Sequence, residues 1–193
     1  MLNAEDRALT LDLRTIARQR AARLTLDVPS ADQLHASIGP AGVFHETLAH
    51  SPLAGHRPAP DWPPMFWEAS SVGWLIARLA EHPHEPFWRP WFISLEGLII
   101  GTIGFKGPPD AAGGMVEIGY SVVASHWRRG IATEAVATMI EWAGRDPRVR
   151  GVRGHTLAGD PASGGVLLKN GFTLAATIDD PDDGRLDRYE RGL

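Results

Sequence analysis

The chain has 193 residues, 44% of them hydrophobic and 22% charged, which is the composition of one globular domain large enough for a sizeable core. Its formal net charge of −4 provides no broad basic face of the kind duplex DNA needs, so no nucleic-acid partner is expected. The lack of cysteine excludes disulfides, thiolate nucleophiles and thiolate zinc ligands. The first residues contain no basic segment followed by an apolar one, and no apolar run reaches the ~18 residues of a membrane helix. The chain therefore reads as cytoplasmic, with no membrane contact.

Leu9, Leu13, Ile16 and Ala17 recur at helical spacing, which predicts an amphipathic helix over 3–20; residues 1–22 are then a helical extension of a single domain spanning 1–193. Leu24, Leu26 and Val28 alternate with polar residues, as in a half-buried strand over 23–28. Ser30 and Gln33 follow Pro29 at capping-box spacing, so a helix is expected to begin near Ala31. Five prolines make 51–64 a connecting loop. A helix over 65–82 is expected next, with Phe66, Trp74, Ile76, Ala77 and Ala80 on overlapping faces. Residues 87–105 read as an antiparallel hairpin hinged at Glu96 and Gly97, with Gly101 and Gly104 as bulges, and 115–123 as a third strand.

From Ala132 the positions Ala135, Val136, Met139, Ile140 and Ala143 hold one helical stripe, ended by Gly144 and Pro147. Beyond it are expected a strand over 152–158, a helix over 162–170 stopped by Gly171, a strand over 172–178, an acidic turn and a last strand over 185–191. Strands first paired by hairpins and then linked through helices argue for a mixed α+β sheet.

The segment HWRRGIATEAV, residues 126–136, sets two arginines and a glycine against a helix start. The first-turn N–H groups lack intrahelical partners and lie at the positive end of the macrodipole. Gly130 lets an anion approach the backbone, while Arg128 and Arg129 can reach phosphates bidentately. The implied ligand is a pyrophosphate. No metal site is expected. His45 and His50 in HETLAH are five residues apart and do not share a helix face, and the HPH segment at 82–84 has no ligand partners at useful spacing. Gly101, Gly104 and Gly107 do not form a dinucleotide fingerprint, because no helix opens after them.

The segment VEIGYSVVASHWRRGIATEA, residues 116–135, resembles motif A of the GNAT superfamily of N-acetyltransferases, and within it the branch similar to ribosomal-protein N-terminal (alanine/serine) acetyltransferases. A second segment, DPASGGVLLKNGF at 160–172, resembles the branch's Asn-x-Ala-Ser and Gly-Phe motif through Ala162, Ser163, Lys169, Gly171 and Phe172. Asp160 stands where Asn is usual, and a carboxylate lacks the amide donor that would reach the cofactor. The resemblance spans roughly residues 22–192 and is strongest from 115 to 172.

The resemblance implies a GNAT fold: a mixed, mostly antiparallel central sheet, splayed at the cofactor site and flanked by helices. It implies acetyl-CoA as cosubstrate, with the acetyl group passing by direct attack in a ternary complex to a primary amine, on a small molecule or at a protein N-terminus. Cofactor contacts are expected from Val122 and Val123 on the pantetheine arm, with Val152 to Leu157 lining the opposite side of the opening. Trp127, Arg128, Arg129, Gly130, Ile131, Ala132 and Thr133 are expected around the pyrophosphate, and Ser163 in the second motif.

Glu117 is the candidate general base, with burial raising its pKa toward neutrality. Leu167 occupies the position where many members carry an acidic Tyr. Tyr120, His155 or solvent is then left as proton donor, with a satisfied strand histidine the ordinary reading of His155. The aromatics Trp62, Phe66, Trp67, Trp74, Trp88 and Trp91 are expected to be core for the most part, with one or two exposed to acceptor. The acidic turn Asp179, Asp180, Asp182 and Asp183 can attract a protonated amine. The N-terminal helix can pack on a second copy to give a homodimer. Two competing readings are a non-catalytic GNAT-like coenzyme A-binding module and a nucleotide-binding regulator using the same anion pocket.

Overall fold

The structure, a computed structural model, describes residues 18–20 and 23–193 apart from positions 50, 52, 83 and 86. The elements run β1 (Arg18–Arg20), β2 (Thr25–Asp27), α1 (Ala31–Ala36), α2 (Ala41–Leu48), β3 (Arg57–Pro58), α3 (Ala69–Glu81), β4 (Pro90–Leu95) and β5 (Leu98–Phe105). The second half continues with β6 (Met115–Val122), α4 (Ile131–Ala143), β7 (Gly151–Leu157), α5 (Pro161–Lys169), β8 (Thr173–Asp180) and β9 (Gly184–Gly192). Among the described residues the strands form one sheet in the order β1-β2-β4-β5-β6-β7-β9-β8, with β3 added in parallel to β5. All neighbours on the main path are antiparallel except β6 and β7. This is the mixed α+β sheet that the order of hairpins and helices predicts, mostly antiparallel as the resemblance implies.

Hydrophobic patterning divides the molecule into a core on each face. On one face the stripe of α4, Ala135, Val136, Met139, Ile140 and Ala143, packs against Ile103, Phe105, Val116, Ile118 and Val152, all buried. Trp88, Trp91 and Trp142 close that core with Phe105 as an aromatic cluster, ring centroids 4.8–5.9 Å apart. On the opposite face α1, α2 and α3 bury Leu34, Phe44, Leu48 and Val72 against Phe92 and Ile99. Trp62 and Trp67 belong here, their indole N–H groups donating to the Ser37 carbonyl (2.7 Å) and the Ser37 hydroxyl (2.8 Å). Most of the aromatic cluster is thus core. Phe66 and Trp74 are exposed.

Several local expectations change. Residues 3–17 of the proposed N-terminal helix lie outside the described residues, and 18–20 are strand, paired with β2. The helix expected from 65 starts at Ala69, because the Glu68 carboxylate and the Ser71 hydroxyl cap each other's backbone, and Phe66 is left in a loop at φ 64°. Helix α2 has no counterpart in the sequence reading. The register shift in the β4–β5 hairpin lies between Ile93 and Ser94, leaving Ile100 without a partner, so neither Gly101 nor Gly104 is the bulged residue. Both glycines are needed for close approach. A Cβ on Gly101 would lie 2.4 Å from the Ser121 carbonyl oxygen, and one on Gly104 2.2 Å from that of Arg89.

Candidate active site

Strands β6 and β7 begin as a parallel pair, Met115 with Gly151, Val116 with Val152 and Glu117 with Arg153, and pairing stops there although β6 continues to Val122 and β7 to Leu157. The sheet therefore opens into a wedge beyond Glu117. On its other side β6 stays bound to β5. Lys106 donates its N–H to the Glu117 carbonyl and Val123 donates to the Ile100 carbonyl, each at 2.9 Å. Antiparallel strands exchange bonds at alternate residues, so Glu117, Gly119, Ser121 and Val123 bond to β5. The backbone groups of Ile118, Tyr120 and Val122 consequently face the wedge. The Val122 carbonyl accepts from the Trp127 indole at 2.6 Å, while the Val123 amide is committed to β5.

Beyond β6 a short 3₁₀ turn, Ala124–His126, leads to α4. The Asp61 carboxylate anchors this turn by accepting from the Ser125 N–H (2.9 Å) and hydroxyl (2.8 Å), and those bonds hold its pKa below the usual carboxylate range against a smaller desolvation effect. Arg128 and Gly130 both take positive φ, 59° and 77°, and Gly130 is the N-cap of α4 with no side-chain bond to the helix. A Cβ there would find only an Arg23 nitrogen, at 3.8 Å. The first-turn amides of Ile131, Ala132 and Thr133 are thus uncapped by Gly130 and flanked by cations.

Sequence reasoning missed one of those cations. Arg23 lies more than a hundred residues away in the chain. Its guanidinium donates to the Arg129 carbonyl at 3.1 Å and pairs with Glu134 in the first turn of α4 at 2.9 Å. Nothing in the spacing announces such a contact. Trp127 is 51% exposed beside this turn.

Tyr120 spans the wedge. Its hydroxyl donates to the Ser163 carbonyl of α5 at 2.8 Å and lies 3.1 Å from the Ser163 hydroxyl. Burial pushes its pKa up to about 12, with the Asp160 charge adding to the effect and the Ser163 hydrogen bond opposing it. The side chain is a neutral, directed hydroxyl at neutral pH and a poor acid. Asp160 caps α5, one oxygen accepting from the N–H groups of Ala162 (2.9 Å) and Ser163 (3.3 Å). That capping is the use the carboxylate finds where the resemblance expects an amide. Leu167 is fully buried against Gly154 in the α4-side core and carries no acid function.

On the opposite face, at the point where the wedge opens, the Glu117 carboxylate is 25% exposed and one of its oxygens holds two nitrogen partners, the Lys106 ammonium at 2.6 Å and His155 Nδ1 at 3.1 Å. The expectation of a raised pKa is reversed. Burial alone would raise it, but Lys106 and then His155 together outweigh burial and hold Glu117 below its ordinary 4.5. Among the described residues no group of His, Asp and Glu side chains is arranged to hold a metal, and no helix is long and apolar enough to cross a membrane. His50, half of the HETLAH pair, lies outside the described residues.

A sheet opened between two parallel strands, with a cationic, uncapped helix start following the first of them, defines an acyl-coenzyme-type acetyltransferase fold. The sequence model of the acetyltransferase (GNAT) domain matches residues 45–173, more than half of the chain, and the chain belongs to that family. It is similar to the uncharacterized N-acetyltransferase YjdG of Bacillus subtilis, 37% identical over 76 residues that make up 39% of this chain and 45% of that protein. The match thus spans less than half the length of this curated relative.

Among solved structures it resembles the microcin C7 self-immunity acetyltransferase MccE, in complex with acetyl-CoA and AMP, at TM-score 0.63 and 18% identity over 89% of this chain and 93% of that one. It also resembles the ribosomal-protein-S5-alanine acetyltransferase of Vibrio fischeri, at TM-score 0.63 and 15% identity over 91% and 96% of the two chains. Identities this low establish the shared fold.

Proposed function

We propose that this chain transfers acetyl from acetyl-CoA to a primary amine, on a small molecule or at a protein N-terminus, within a ternary complex. The observation that carries the reading is the adjacency of the β6–β7 wedge to the bare N-terminus of α4. A diphosphate fits that helix start. It finds amides uncapped by Gly130, the helix dipole, a backbone with no Cβ at that glycine, and arginines at positions 23, 128 and 129. An arm carrying amides fits the wedge, where the Val122 N–H and the backbone of Tyr120 present strand-like donors and acceptors. Ile131, Ala132 and Thr133 supply the amides and Trp127 an exposed flank, with Ser163 and Tyr120 forming the wall of the wedge on the α5 side. MccE is named with acetyl-CoA bound, and the same ligand suits the features present here.

The reaction joins the amine nitrogen to the thioester carbonyl carbon, breaks the C–S bond and releases the thiolate. It needs a neutral amine and a donor for the oxyanion. Glu117 serves this site as a fixed carboxylate and Tyr120 as a fixed hydroxyl. The test is release of coenzyme A from acetyl-CoA in the presence of small primary amines and peptides with free alanine or serine N-termini. Turnover with at least one acceptor is the expected result. Tight coenzyme binding with no turnover would make the chain a non-catalytic coenzyme-binding module, and ATP displacing coenzyme A at similar affinity would make the pocket a general nucleotide site.

A further inference from the structure

Glu117 cannot readily accept a proton where it stands. Lys106 and His155 both lie on its Oε1, and the carboxylate is an anchored anion rather than a free base. The group that this anion orients is the imidazole. His155 sits two residues past the last β6–β7 pair, on the strand that forms the far wall of the wedge, and is 18% exposed on its side chain. With Nδ1 donating to Glu117, the lone pair of the neutral ring lies on Nε2, which takes no hydrogen bond from the protein among the described residues.

The charges around the ring come from every neighbouring strand. Lys106 follows β5, and Arg188 lies directly opposite on β9, paired with Glu190 at 3.1 Å. Arg153 on β7 is paired with Asp110, and Asp180 at the end of β8 interacts with both Lys106 and His155. From α3, an Arg78 nitrogen lies 3.3 Å from the Cβ position of Gly107, next to Lys106. The arginines are matched by carboxylates, so the carboxylates of Glu117 and Asp180 are available to offset an imidazolium.

Resting on the function proposed above, we propose that His155 is the proton-transferring residue of this site, with Glu117 and Lys106 as the positioning residues that fix its tautomer. The acceptor enters as an ammonium ion and loses one proton to solvent. As the C–N bond forms and the C–S bond breaks, the remaining excess N–H proton passes to Nε2 of His155, its electron pair staying on nitrogen. The imidazolium, held by Glu117, then gives that proton to the departing thiolate and returns to neutral.

The test uses the full chain, acetyl-CoA and the best acceptor from the amine and peptide panel. The substitution H155Q should lower kcat by about 100-fold while coenzyme A affinity measured by calorimetry is unchanged. It should also abolish the acidic limb of the kcat–pH profile. E117Q should lower kcat by about tenfold and move that limb to lower pH, because the ring loses its anion. Full activity in H155Q, or an acidic limb that survives it, overturns the assignment.

Should H155Q fail to fold, nitrogen NMR of the wild-type ring at neutral pH decides: protonation at Nδ1 is expected, and an Nε2–H tautomer contradicts it. A wild-type chain that binds coenzyme A but acetylates nothing on the panel overturns the transferase reading, and the role of His155 with it. A chain that transfers acetyl without needing His155 overturns only the inference.

Discussion

Tyr120 shows how one residue can be legible in the sequence while the surroundings that set its chemistry are not. The sequence marks it through the Glu-Ile-Gly-Tyr segment and offers it as an acid by elimination, since Leu167 replaces the usual Tyr. In the fold its hydroxyl is committed to Ser163, and burial, reinforced by the charge of Asp160, lifts its pKa from 10.0 to about 12. Because the folded state favours the neutral phenol, the stability this group contributes is complete below pH 10 and is lost as pH rises toward 12. Urea denaturation across that range should show a loss of stability in the wild-type chain that Y120F lacks. At neutral pH Y120F should be less stable by about 1 kcal/mol, the worth of one hydrogen bond. An identical alkaline slope in both proteins would contradict the description. Glu117 is the complementary case: the residue is visible, but its partners come from Lys106, just past β5, and His155 on β7, and no spacing rule connects them.

Among the elements, the strands other than β1, expected as helix, and β3, expected as loop, follow with the two long helices from periodicity and caps, and α1 and α5 from Ser30 with Gln33 and from the stop at Gly171. What escaped has a physical cause in each instance. Helix α2 is short and its N-cap residue is Pro40, which offers no side-chain cap, so it sends no start signal. Helix α3 begins at a Glu–Ser reciprocal cap instead of the familiar Ser–Glu order, and the aromatic load at 65–67 made the pattern look longer. The glycines of β5 look like bulge residues in isolation. Only the paired strands reveal that their task is to admit the carbonyls of Ser121 and Arg89. Gly104→Ala should therefore force β4 and the Arg89 carbonyl aside and destabilise the protein by about 2 kcal/mol, within the overpacking range. A denaturation midpoint unchanged from wild type would show that the hairpin tolerates a methyl group there.

At the scale of the whole molecule, the sheet keeps two cores apart and, among the described residues, opens between β6 and β7 where their pairing stops after Glu117. The wedge is held open by what lies at its edges. Tyr120 reaches across to α5, Asn170 ties α5 to α4 by donating to the Thr133 carbonyl at 3.2 Å, and Asp61 fixes the turn before α4. The motifs at 116–135 and 160–172 were legible because they are local in sequence. The wedge itself, Arg23, and the Lys106–Glu117–His155 chain exist only once distant strands are neighbours. A site prepared in this way needs little rearrangement to receive a ligand, so binding should raise stability by mass action, by about 2.7 kcal/mol at a hundredfold excess over Kd.

The central claim is that the start of α4, with Gly130 and its arginines, holds the diphosphate of a coenzyme. Calorimetry with acetyl-CoA and coenzyme A on the wild-type chain and on R128E/R129E tests it directly. The account predicts heat of binding for both ligands and a loss of at least about tenfold in affinity on charge reversal, about 1.4 kcal/mol. Folded protein that gives no heat with either ligand, or a reversed variant that binds as tightly as wild type, would contradict it.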